Sequence, residues 1–245
     1  MAVVSVAGQN APEPVKPGSP PIATPLMQEA QAILVKVQTL MSQQHYFDAL
    51  QELDKADALV PDNPVLTNVR GSIYTATRDF DKARECFEKS EKLMPGAFEP
   101  RFNLAELLYV QEKYAESENA FSNLLKEFTR LREEVRHLTQ FKVIVCRLKQ
   151  NKVVEAEELT KNFTFMDDTP AYYFTKAAFS FQKGDKDEAR AWVNKALRIF
   201  KRAQNSPYID TLMEAHWINS IGVPEEAAEG GKTPEGSAEP KPEKP

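Results

Sequence analysis

Residues 64–97 read PVLTNVRGSIYTATRDFDKARECFEKSEKLMPGA, and this stretch decides the fold. Apolar residues recur at three- and four-residue spacing on both sides of Asp79, and no run of alternating β-branched residues interrupts them. That pattern predicts two helices joined by a tight turn. Pro95 closes the second, since proline cannot continue a helix. Gly71 and Ala83 are small where the two helices of the hairpin would cross. A large side chain at either would push them apart, and Phe87 is placed to fill the space below the crossing.

The same pattern recurs outward from this stretch. Ala49, Ala83 and Ser117 are spaced 34 residues apart, as are Pro61 and Pro95, Phe80 and Tyr114, and Phe87 and Phe121. A helix–turn–helix with this period resembles the tetratricopeptide repeat, whose pattern carries a small residue and Tyr in the first helix, then A-x3-F, then Pro. Residues 64–97 hold Arg70-Gly71, Tyr74, Phe80, Ala83, Phe87 and Pro95 at that spacing. Residues 30–63 hold Val37, Leu40, Tyr46, Ala49, Leu53, Ala56 and Pro61, but Lys36 stands where the family has leucine. This suggests the exposed first helix of a terminal repeat. Residues 98–131 hold Leu104, Ala105, Leu108, Tyr114, Ser117, Phe121 and Leu124 without the closing proline.

Two further copies are weaker. Residues 170–203 keep Ala177, Gly184, Ala189, Val193 and Ala196, whereas 137–169 keep little beyond Ile144, Val153 and Ala156. Extra residues near 128–136 predict a longer helix there, over about 131–150. Ser206-Pro207 reads as an N-cap followed by proline at the first helical position, opening a last amphipathic helix with Tyr208, Leu212, Ala215 and Trp217. The resemblance to tetratricopeptide-repeat proteins spans about residues 28–203. It implies an all-α, right-handed solenoid of about five hairpins, with the last helix as a C-terminal cap over the apolar end of the stack.

Both ends differ in composition. Residues 1–25 form a proline-rich head, and 221–245 a Pro/Glu/Lys-rich tail, around a solenoid domain over 26–220. Neither end carries enough large apolar side chains to offset the entropy of ordering, so both read as disordered. Ser5-Val6-Ala7 has the small-x-small form of a signal cleavage site, without a basic region before it. The chain is thus read as cytoplasmic, or as bacterial-envelope if 1–11 are the end of a signal peptide. No apolar run approaches the ~18 residues that a membrane-spanning helix needs.

Net charge is −5 with a pI of about 5.4, a balance that argues against general nucleic-acid binding. A local basic stripe of Arg130, Arg132, Arg136, Arg147, Lys149 and Lys152 on the fourth repeat keeps a nucleic-acid adaptor as a lesser alternative. Cys86 and Cys146 stand apart, inside helical patterns, and read as small buried thiols. His45, His137 and His216 are scattered, with no phosphate loop, nucleophile elbow or metal-ligand spacing. Hence no catalytic, cofactor-binding or metal residues are expected, no cofactor is implied, and the chain is not expected to be an enzyme.

What the resemblance does imply is a concave groove lined by the first helix of each hairpin, which takes a protein or peptide ligand in a scaffold or adaptor. Carrying over the family's lining positions places Leu34, Met41, Asn68, Phe102, Tyr109, Phe141, Phe174 and Phe181 in that groove, with the aromatic rings as anchors. An amphipathic helix or an extended apolar segment suits such a surface. The alternatives are that some rings pack between repeats, or that the last helix folds into the groove. The family's carboxylate clamp for chaperone tails does not fit. Leu34, Asn68 and Phe102 stand where its first lysine would be, and Asn103 alone matches. Self-association through the exposed groove or cap is a further alternative.

Overall fold

The computed structural model describes residues 25–218, which form eleven helices and no strand. Ten pair into five hairpins: α1 (Pro25–Ser42) with α2 (Tyr46–Leu59), α3 (Pro64–Ala76) with α4 (Phe80–Leu93), α5 (Phe98–Val110) with α6 (Tyr114–Glu127), α7 (Glu133–Lys149) with α8 (Val153–Thr160), and α9 (Ala171–Gln182) with α10 (Lys186–Ile199). The eleventh, α11 (Arg202–Glu214), has no hairpin partner. Pro25, read as part of the head, opens α1. The expectations for 1–24 and 221–245 lie outside the described residues.

One local device makes all five hairpin turns. Gln44, Arg78, Glu112, Asn151 and Gly184 adopt left-handed backbone, with φ of 62°, 65°, 60°, 59° and 82°. The next residue in each case (His45, Asp79, Lys113, Lys152, Asp185) donates its amide to the carbonyl five positions back, on Leu40, Tyr74, Leu108, Arg147 and Ser180. This closure satisfies a carbonyl at the helix end that would otherwise lack a partner. Asp79 and Asp185 also cap the following helix, accepting the backbone amides of Lys82 and Glu188.

The hairpin crossing is as close as Gly71 suggests. A Cβ at that position would stand 2.6 Å from Phe87 Cε1, and Ala83 is fully buried. First helices of neighbouring hairpins pack on one another, α3 on α5 and α7 on α9, and so build an inner wall. Buried side chains of α1–α3 form one cluster, Ala83, Phe87 and Leu107 a small second one, and the rest of the stack with α11 a large third. The chain is an all-α solenoid, whose core is a string of such clusters rather than one centre.

Two departures from the sequence reading affect function. The second helix of the fourth hairpin, α8, has 8 residues where α6 and α10 have 14, and residues 161–170 follow it without helix. The second concerns α11, which begins at Arg202 and not at Ser206. Lys201 flanks it, its amide donating to Gln204 Oε1, and Pro207 lies inside the helix. Asn205 explains the earlier start. It is fully buried and donates through Nδ2 to the carbonyls of Phe200 and Lys201, tying the turn before Pro207 in place. Pro207 deprives the Ala203 carbonyl of its usual helical partner.

Candidate functional site: the inner groove and its occupant

The inner wall is lined by α3, α5, α7 and α9, and α11 lies across it. Tyr208 sits between Phe141 and Phe174, with ring centroids 5.1 Å and 5.2 Å away, and is nearly parallel to the second. Tyr109 donates its hydroxyl to the Thr211 carbonyl at 2.7 Å. Trp217, just past α11, stacks on Phe181 at 6.0 Å. Lys149 reaches the Ala215 carbonyl at 2.9 Å, and Arg78 pairs with Glu214 at 3.0 Å. Thus α11 spans the groove from the fifth hairpin back to the α3–α4 turn.

A buried cation fastens the middle of α11. Lys142, on α7, donates to Glu106 Oε1 at 2.7 Å and to Thr211 Oγ1 at 2.8 Å, with its ammonium 5.2 Å from the centre of the Tyr109 ring. An ammonium taken out of water needs such a set of partners. Burial pushes the phenols of Tyr109 and Tyr208 well up from their ordinary value, so both stay neutral.

The eight residues expected to line the groove are thereby divided. Tyr109, Phe141, Phe174 and Phe181 form the wall under α11 and Trp217, and they are buried beneath them. Phe102 is buried too, but between Phe98 and Phe121 of its own hairpin, where it holds α5 to α6. Leu34 is buried, whereas Met41 and Asn68 are half-buried. Asn68 accepts from Asn103 Nδ2 at 3.1 Å and so links α3 to α5. Beside Leu34 the described residues leave a hollow of about 420 Å³ bordered by Gln31, Val60, Asn63, Val65 and Leu66.

The other candidate residues have simpler surroundings. Three residues of the expected basic stripe are engaged within the chain. Arg147 and Lys152 pair with Glu118 at 2.8 Å and 2.9 Å, and Lys149 is spent on the Ala215 carbonyl. Desolvation works against the Glu118 carboxylate, but hydrogen bonds from Arg147, Lys152 and Gln150 outweigh it and hold its pKa below the ordinary carboxylate value. Cys86 and Cys146 are free thiols, and burial pushes Cys146 up to about 12. His45 is exposed, and His216 is an exposed partner of Glu112 at 3.2 Å. His137 is buried beside Glu133 and Asp167, a grouping invisible in the sequence because Asp167 lies 30 residues further along the chain. Desolvation holds its pKa below the ordinary histidine value, so the ring is neutral near pH 7.

The hairpin stack defines the chain as a helical-repeat solenoid. Tetratricopeptide-repeat models match residues 68–132 and 170–202. The chain thus carries tetratricopeptide repeats over these two stretches. Among solved structures it is similar to a tetratricopeptide repeat protein from Parabacteroides merdae, at 16% identity and a TM-score of 0.59, over 76% of this chain and 71% of that one. It is also similar to PilW, described as a widely conserved type IV pilus biogenesis factor, at 20% identity and a TM-score of 0.57, over 78% and 89%. A third is pilF of Pseudomonas aeruginosa, at 13% identity and a TM-score of 0.56, over 84% and 95%. These likenesses concern the fold. No curated protein matches the sequence. No helix among the described residues is long and apolar enough to cross a membrane.

Proposed function

We propose that this chain is a non-catalytic scaffold that binds an apolar or amphipathic segment of a partner protein along its inner wall. The observation that supports this reading is the seating of α11. It shows the chemistry that the wall accepts in a helix: an aromatic wedge between rings, as at Tyr208, beside polar bonds to the helix backbone, as at Thr211. Over the third to fifth hairpins that role is taken by the chain itself. The section open to a partner is the hollow at the first two hairpins, where Leu34 forms the floor and exposed Val65 the rim. Tyr109, Phe141, Phe174 and Phe181 then act indirectly, by fixing α11 and hence the curvature of the wall.

The test uses Val65→Asp with Gln31→Arg. Both are exposed, so the variant should keep the wild-type circular dichroism spectrum and melting temperature. A partner captured by the wild-type chain should be lost by this variant. Equal capture by a folded variant would refute binding at the open section.

A further inference from the structure

Where the fourth hairpin departs from its repeat, three metal-ligating side chains converge. His137 stands on the first turns of α7, four residues after Glu133 and therefore on the same helix face. Asp167 comes from the non-helical segment after α8. One nitrogen of His137 and one carboxylate oxygen from each of the other two all lie within 4.8 Å of one another.

The histidine is the informative member. Its side chain is 5% exposed, and its Nδ1 is bonded to Thr169 Oγ1 at 2.9 Å. Among the described residues Nε2 has no hydrogen bond: a carboxylate oxygen of Glu133 is 3.9 Å away, too far for one. A buried imidazole with one nitrogen held by a hydroxyl and the other left open beside the Glu133 carboxylate is arranged as a ligand with its outer partner already in place. Asp167 is also set in advance. Its two oxygens accept from the Thr164 amide and hydroxyl at 2.8 Å and 2.7 Å, and each keeps a lone pair. Glu133 is exposed and free to swing.

We propose that Glu133, His137 and Asp167 bind one divalent transition ion of the zinc class, which fastens residues 161–170 to the start of α7. Imidazole with two carboxylates suits zinc, whereas magnesium and calcium favour sites made of oxygen alone. Zinc bonds of roughly 2.0–2.1 Å bring ligand atoms to within about 3.3 Å of one another in a tetrahedral set, with water as the fourth ligand. A rotation of the exposed Glu133 side chain and a small shift of 161–170 close the gap. That segment carries Phe165 and Met166, 65% and 77% exposed, so the ion would fix the position of two apolar side chains on the surface.

The test uses the full chain, stripped with a chelator and titrated with zinc chloride, with magnesium and calcium chloride as controls. Expected are one zinc per chain after desalting, a melting temperature that rises with zinc and not with the controls, and slower tryptic cleavage after the exposed Lys161. Glu133→Gln, His137→Gln and Asp167→Asn should each weaken binding at least tenfold, whereas the neighbouring Glu134→Gln should not. Glu133 is exposed, so its variant keeps the test valid if His137→Gln fails to fold. Less than one zinc per chain at saturation, or undiminished binding by Glu133→Gln and Asp167→Asn, overturns the site. Stoichiometric binding with unchanged cleavage at Lys161 overturns the fastening.

Discussion

The ammonium of Lys142 stands 2.7 Å from the carboxylate of Glu106, although the lysine side chain is 2% exposed and the two residues belong to different hairpins. Together with Thr211, this pair connects α5, α7 and α11. Removing one partner leaves the other charge buried without compensation. Glu106→Ala should therefore cost about 3–5 kcal/mol in urea unfolding. Lys142→Met should cost less, because the carboxylate it leaves unpaired, Glu106, is 18% exposed and can be hydrated, whereas the ammonium left by Glu106→Ala is 2% exposed. Equal losses in both variants would show that the pair acts through packing alone.

Tyr208 fills the space between Phe141 and Phe174. Tyr208→Ala should destabilise by about 3–5 kcal/mol through the cavity it leaves. A chain ending at Lys201 should bind the dye ANS strongly and aggregate as its concentration rises, since Phe141, Phe174 and Phe181 lose their cover. Light scattering at several concentrations would register this. A truncated chain that stays monomeric and dye-silent would show that α11 is dispensable to the stack.

Gln44 is exposed and holds a left-handed backbone, φ 62°, that glycine adopts without steric cost. Gln44→Gly should stabilise the chain by about 0.5–1 kcal/mol, the left-handed strain relieved less the added freedom of the unfolded chain. Thermal melts of the two proteins decide the sign.

Glu118 contributes stability that depends on pH. Its folded pKa is depressed, so the contribution is complete above the unfolded carboxylate value of about 4.3 and is lost as pH falls through the folded value. Urea midpoints measured between pH 6 and 3 should fall more steeply for the wild type than for Glu118→Gln. Parallel curves would mean that the contacts with Arg147, Lys152 and Gln150 contribute little.

Much of the fold was legible because its causes are local. The turn at Gln44 recurs at Arg78 and Glu112, one period later each time, and each is made by residues within six positions of one another. Gly71 against Phe87 is likewise a contact within one hairpin. The start of α11 was misplaced because Ser206-Pro207 is a sound local signal, overridden by the buried bonds of Asn205. The candidate site was less legible. The lining positions placed Phe102 in the groove with Tyr109, yet Phe102 turns to Phe121 and Tyr109 to Thr211, and residue type does not distinguish these fates.

By itself, then, the sequence determined the repeat: its period, its hairpins, its small residues at the crossings and its all-α solenoid. Helical periodicity and turn chemistry act over a few residues and can be read along the chain. Only the tertiary structure decided that α11 lies on the inner wall, that Lys142 finds Glu106, and that Asp167 meets His137. Those outcomes join residues 30 to 136 positions apart, where burial, charge pairing and shape are summed across the whole stack, and no short pattern encodes the sum.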